Sequence, residues 1–217
     1  MSLIERCAFP GDGNTLLVML PGAGSEAADF ARHGLVAAAQ RAVPGLDVVA
    51  VRPDIELYLD GRIIEVLHEE VILPALARGY TRLWLLGISL GGMGALLYAS
   101  AHAEHIEGVL LLAPFLGTRG TIAALERAGG LATASVENAA ATPTEARLLG
   151  WLQAHLQAGA ARPALYLGYG EADRFAPGHL LLAGHLPPAR VVTVPGGHDW
   201  PSWSALWNAL LARWTPA

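Results

Sequence analysis

Short, nearly continuous apolar runs alternate along this chain with longer alanine-rich stretches whose apolar residues recur at helical spacing. The runs fall at 16–20, 47–51, 83–87, 108–113, 164–169 and 190–194. A strand that is apolar at consecutive positions has no face to offer water, so both of its faces must be covered. The helix candidates that would cover them fall near 26–43, 62–78, 90–103, 144–158, 178–184 and 201–213. Ser25 is placed to cap the first of these helices. Thr142-Pro143-Thr144-Glu145 reads as a capping box with proline at the first helical position. This alternation predicts an α/β fold: a compact, mostly parallel sheet of about six strands, right-handed crossovers and helices on both faces. Residues 117–142 break the rhythm. They are small and weakly patterned, with one short helix expected near 122–127, and read as a short lid or a surface insertion in a single domain spanning 1–217.

Composition removes several classes of function. Every one of the 14 basic residues is arginine, and no lysine is present. That excludes Schiff-base chemistry, a pyridoxal anchor and the lysine of a phosphate-binding Walker loop. Basic residues form no cluster and the formal net charge is −5, so nucleic acid is not expected as a partner. The mean hydropathy is +0.39, yet no uninterrupted apolar run approaches the ~18 residues of a membrane span. The opening residues 1–10 carry Glu5 and Arg6 and lack the pattern of a secretory signal, which points to a cytoplasmic protein. Cys7, the sole cysteine, excludes an internal disulfide.

Chemistry concentrates at Gly87-Ile88-Ser89-Leu90-Gly91, a G-x-S-x-G motif between a strand and a helix. A sharp strand–serine–helix turn strains the serine backbone and demands neighbours without bulk, which Gly87, Gly91 and Gly92 supply. Such a turn lifts the hydroxyl above the sheet edge, at the positive end of a helix dipole. The bland alternative is a glycine-rich turn with a capping serine.

The run from Gly87 through Leu96, GISLGGMGAL, resembles the nucleophile elbow of the α/β-hydrolase superfamily, in its esterase-D-like branch. Gly196-Gly197-His198-Asp199-Trp200-Pro201-Ser202-Trp203 is similar to the histidine loop of the same branch. The resemblance covers most of the chain. It implies an α/β-hydrolase fold without a large cap domain, and carboxylesterase or thioesterase activity on a small-molecule ester or thioester with no cofactor and no metal.

That fold orders its residues serine, then acid, then histidine. His198 follows the last strand and precedes the last helix, on a loop whose glycines can turn the imidazole back over the strand ends. Asp173 follows the strand at 164–169, where α/β folds assemble sites, with Glu171 as its near competitor. Asp199 adjoins the base and reads as the cap of the last helix. The remaining histidines read as surface or packing residues. His33, His68, His102, His105 and His155 fall in or near helices, and none shows a metal-ligand spacing. By alignment to the superfamily, where His-Gly-x is common and Pro21 stands here, the oxyanion donors are the Ala23 and Leu90 N–H groups. Tyr58, Phe115, Phe175 and Trp200 flank the strand ends and are candidate pocket residues.

A rival reading comes from Gly22-Ala23-Gly24-Ser25-Glu26-Ala27, which also matches a G-x-G-x-x-A dinucleotide fingerprint, with Asp54 as a ribose partner. It implies a nicotinamide or flavin oxidoreductase. A third reading is a binding protein on a hydrolase scaffold without turnover.

Overall fold

The computed structural model describes residues 4–159 and 162–216; residues 1–3, 160, 161 and 217 lie outside that description. Seven strands form one sheet: β1 (Ile4–Phe9), β2 (Thr15–Leu20), β3 (Asp47–Pro53), β4 (Arg82–Ile88), β5 (Gly108–Leu112), β6 (Ala164–Gly170) and β7 (Val191–Val194). Their order is β1-β3-β2-β4-β5-β6-β7, and only β1 runs antiparallel. Six of the strands are those expected from the apolar runs. The seventh, β1, was missed because it lies on the sheet edge, where alternate residues face solvent and the apolar run is interrupted by Glu5 and Arg6.

The parallel strands divide their side chains between two cores, as the pleat requires. Leu16, Val18 and Leu20 of β2, Leu83 and Leu85 of β4, and Leu165, Leu167 and Tyr169 of β6 enter one core. Leu17 and Met19, Trp84, Leu86 and Ile88, and Tyr166 enter the other. The first core is closed by the segment Ile63–Ala77 and by the helices Leu90–His102, Pro143–Gln157 and Ala176–Ala183. The second is closed by Leu35–Ala42 and Trp200–Leu211, with Trp207 fully buried and its indole N–H donating to Leu35 O at 2.9 Å. Among the described residues no helix is long and apolar enough to cross a membrane.

Two helix boundaries differ from expectation. The first helical segment is split into Asp29–Arg32 and Leu35–Ala42 by Gly34 at φ 77°. Its cap is not Ser25; the Asp29 carboxylate instead accepts from Glu26 N–H at 2.8 Å. The region 62–78 is helical throughout but opens into a wide π-turn at His68–Ile72.

The segment 117–142 contains the helices Arg119–Arg127 and Val136–Ala139. Thr142 caps the following helix by accepting from Glu145 N–H at 3.1 Å. The Glu145 carboxylate does not complete a capping box. It is buried, and it accepts from Thr118 N–H at 2.7 Å, Thr121 hydroxyl at 2.6 Å and Ala141 N–H at 2.8 Å. One carboxylate therefore ties both ends of the segment together. Gln153 adds hydrogen bonds to Leu131 O and Ala134 O at its middle. Replacing Glu145 by Ala leaves buried donors unpaired, at a cost of at least ~2 kcal/mol. The expected outcome is a lower Tm together with new limited-proteolysis cuts confined to 118–141; an unchanged digest would mean that the segment is held by other contacts.

Candidate active site

Four parallel strands, β2, β4, β6 and β7, deliver their C-terminal loops to one edge of the sheet. Ser89 stands between β4 and the helix Leu90–His102, with its backbone at φ 51° and ψ −114°. A non-glycine residue there stores on the order of 1–3 kcal/mol of strain, so the surroundings must enforce it. They do so by close backbone packing. A Cβ on Gly87 would lie 2.4 Å from Gly91 O, one on Gly91 2.1 Å from Leu20 O, and one on Gly92 2.8 Å from the Pro114 Cβ. From below, Ser89 N–H donates to Leu112 O at 3.1 Å, and Ser89 O accepts from Phe115 N–H at 2.9 Å.

The Ser89 hydroxyl lies 2.9 Å from His198 Nε2, and His198 Nδ1 lies 2.7 Å from Asp173 Oδ2. The second Asp173 oxygen accepts from Phe175 N–H at 2.8 Å. Burial alone would raise the Asp173 carboxyl; the hydrogen bonds from His198 and from Phe175 N–H outweigh it and hold the group below the ordinary aspartate range. The loops that carry Asp173 and His198 are stitched to each other by Glu171 N–H to Val194 O at 3.0 Å and Ala172 N–H to Gly196 O at 2.9 Å. Gly196 is required at φ 138°, where a Cβ would collide with the Ser202 hydroxyl at 2.4 Å.

The competing carboxylates stand apart. Glu171 is exposed. Asp199 caps the last helix, accepting from Ser202 N–H at 2.9 Å, and those contacts with Ser202 hold its carboxyl low. Ala23 and Leu90 flank Ser89, and neither N–H has an acceptor among the described residues.

Two recesses border the site, one reaching Leu90 next to the serine and the other reaching Phe175, which packs on the His198 ring. A cleft of about 630 Å³ is lined by Gly22, Ala23, Leu90 and Tyr58, with Glu26, Arg52, Asp54 and Glu56 making it polar. A smaller recess of about 240 Å³ is mostly apolar, lined by Pro114, Leu116, Ile122, Phe175 and Pro177, with Arg119 and Arg174 at its margin. Of the expected pocket residues, Tyr58 and Phe175 line these recesses, and Phe175 also packs edge-on against the His198 ring. Phe115 and Trp200 line neither. The Phe115 ring is spent on Phe175, and Trp200 is held between Phe30 and a parallel stack on His33.

Two features escaped the sequence. His179, read as a surface or packing residue, is fully buried, and burial lowers its pKa. Its neutral ring donates from Nε2 to Pro114 O at 2.9 Å, anchoring the loop beneath the serine turn. His68, His102 and His105 showed no ligand spacing in the sequence, yet their ring nitrogens lie within 4.8 Å of one another. Residues 34 positions apart give no local signal for that meeting.

No family model matches the chain, and no curated protein matches it. Solved structures do. A ferulic acid esterase aligns over 98% of both chains with TM-score 0.64 and 16% identity. S-formylglutathione hydrolase from Staphylococcus aureus aligns over 94% of this chain and 82% of its own, with TM-score 0.63 and 15% identity. A thioesterase domain from the curacin biosynthetic pathway covers 96% and 95%, with TM-score 0.55 and 16% identity. The chain has the α/β-hydrolase fold. Within that fold, the parallel sheet with β1 added at its edge is what brings Ser89, Asp173 and His198 to one rim.

The lowered Asp173 pKa makes a statement about stability. A carboxyl with a depressed folded-state pKa stabilises the fold at pH above its unfolded value, about 3.9, and loses that contribution as pH falls through the folded value. Melting curves of the wild type and Asp173→Asn should therefore differ by a constant margin from neutral pH down to about 4, and converge below it. A margin that widened on acidification would reverse the sign of the assigned shift.

Proposed function

We propose that this protein is a serine hydrolase of the esterase-D-like type that cleaves a small- or medium-chain carboxylic ester or thioester through an acyl-serine intermediate. The observation that carries this reading is the unbroken chain Ser89–His198–Asp173; the Ala23 and Leu90 N–H groups have no acceptor among the described residues. In the proposed reaction the Ser89 oxygen attacks the substrate carbonyl carbon while His198 Nε2 takes the hydroxyl proton. Asp173 holds the ring in the tautomer that leaves Nε2 free to accept, and offsets the positive charge the ring gains. The carbonyl oxygen becomes an oxyanion held by the Ala23 and Leu90 N–H groups. His198 then gives its proton to the departing alcohol or thiol. A water, deprotonated by the same nitrogen, attacks the acyl-serine and releases the acid.

The recesses suggest how a substrate lies. The apolar recess beside Phe175 suits the acyl chain, and the polar cleft beside Tyr58 and Arg52 suits the leaving group. A recess of about 240 Å³ is below the usual range of small-molecule pockets, roughly 300–1,000 Å³, which favours short acyl groups. The similar solved structures, a ferulic acid esterase, an S-formylglutathione hydrolase and a thioesterase domain, support the same class of chemistry.

The dinucleotide reading loses its structural premise. The Gly22-Ala23-Gly24 loop does not open onto a long helix. The four-residue helix Asp29–Arg32 follows it, with the Asp29 carboxylate bonded to the Glu26 N–H just ahead of it and meeting Arg32 at 2.8 Å. A carboxylate at that position repels the pyrophosphate that such a loop would have to cradle.

A fluorophosphonate probe should label Ser89 alone, as read by mass spectrometry of the adduct, and Ser89→Ala should lose both labelling and esterase activity. Adduct on another residue with Ser89 untouched would sink the mechanism. On one p-nitrophenyl ester, Asp173→Asn should lower kcat by up to ~10⁴-fold through the wrong imidazole tautomer, whereas Glu171→Gln and Asp199→Asn should cost at most ~10-fold. Across an acyl series, acetyl and butyryl esters should be turned over faster than chains above about twelve carbons; the opposite order would place the acyl group outside the apolar recess.

A further inference from the structure

The nucleophile helix Leu90–His102 carries a second cluster at its far end. Thirteen residues at 1.5 Å per residue put His102 roughly 20 Å from the serine turn. His102 there meets His105, from the short turn Ala103–His105, and His68, from the start of the π-turn His68–Ile72. All three are partly exposed, and their ring nitrogens lie within 4.8 Å of one another. Glu104 reaches the same place, with its carboxylate 3.7 Å from His102 Nδ1 and 3.6 Å from His105 Nε2.

We propose that His68, His102 and His105 form a binding site for a divalent transition-metal ion of the zinc class, with the Glu104 carboxylate as fourth ligand or as an outer partner. The donor set is three imidazoles and one carboxylate, which suits zinc, cobalt and nickel in preference to calcium or magnesium. His68 already has the support that ligating histidines have. Its Nδ1 shares a hydrogen bond of 3.1 Å with the hydroxyl of buried Tyr98, which fixes the ring and leaves the other nitrogen as donor. A π-turn at the first ligand is a further mark, since such turns are concentrated at functional sites.

Binding requires rotation of two of the three rings, because His105 also stacks within about 21° of both His68 and His102. A metal lies in the plane of each imidazole that holds it, but the His68 and His102 rings are stacked in parallel planes, 4.1 Å apart and within 1°. Two rings must turn about their χ2. Tyr98 anchors His68, so the turns fall to His102 and His105, whose side chains are 26% and 29% exposed and pair only loosely with Glu104. Tetrahedral zinc at 2.0–2.1 Å from each nitrogen sets the nitrogens about 3.3 Å apart, so the cluster closes slightly around the ion. The ion would pin the π-turn to the end of the nucleophile helix, two segments far apart in sequence. Its effect belongs to stability and not to turnover, because the serine turn lies at the opposite end of the helix.

The test uses the full chain, stripped with a chelator and titrated with zinc by calorimetry and with cobalt by visible absorption. The expected result is one ion per chain, cobalt bands typical of nitrogen and oxygen ligands in low coordination, a raised Tm and unchanged ester hydrolysis. His68→Ala and His102→Ala should each weaken binding by more than ~10-fold, the cost of losing even an outer partner of a metal site, and abolish the rise in Tm. His105→Gln is the milder second variant should either alanine fail to fold, and it should show the same loss. His185→Ala, elsewhere on the surface, should bind as the wild type does. No zinc uptake at millimolar metal, or full-affinity uptake that survives the His68, His102 and His105 substitutions, overturns the proposal.

Discussion

The structure hangs on a single forced backbone angle, the positive φ of Ser89. A strand cannot turn into a helix within one residue unless the two segments interpenetrate, and here they do so at glycine-only contacts. Gly91 is pressed against Leu20 O of β2, Gly92 against Pro114 of the loop after β5, and Gly87 against Gly91 itself. The serine turn is therefore held from three strands at once. The loop after β5 answers with strain of its own, because Ala113 is the other non-glycine residue with positive φ among those described. Its N–H donates to Gly168 O at 2.7 Å, and buried His179 holds the next carbonyl. The strain at Ser89 is spread over a frame that has no slack to release it.

Asp173 and His198 need a different kind of restraint. Both ride on loops, and loops wander unless their backbone groups are satisfied. The two hydrogen bonds between the segment after β6 and the segment after β7 meet that need and set the imidazole over the carboxylate. The electrostatics follow from position. The Asp173 side chain is fully buried, so its charge survives only because each oxygen has a donor. Asp199, one residue from the base, is exposed and tied to a helix terminus, where its charge is well solvated.

Most of this arrangement was legible in the residues because it is local. Strand runs, the glycine-flanked serine, and the Asp199 and Thr142 caps are written in windows of ten residues or fewer. What escaped was either marginal or long-range. Edge strand β1 alternates and carries charges, so its apolar signal is diluted. The helix Ile55–Leu59 is a single turn with exposed Ile55 and Leu59, too short to show a period. Ser25 had the chemistry of a cap, but a turn at Gly22 sets the helix start four residues later, where no side chain caps it. Glu145 had the spacing of a capping box, yet stronger partners across a 27-residue span claimed its oxygens. The meeting of His68 with His102 depends on how two helices pack, which no local pattern encodes.

The two recesses that border the site draw their walls from separate stretches of chain. One is built from 114–126 and 174–178, the other from 21–26, 52–58 and Leu90. No residue lines both. Free energies of substitutions at separated sites with no shared partner add, so changes in one wall and in the other should combine as independent increments. If the proposed function holds, such a division would let the two halves of a substrate be respecified one at a time, by drift or by design, without renegotiating the turn between them. In evolutionary terms the scaffold is modular at the scale of a single side-chain cluster.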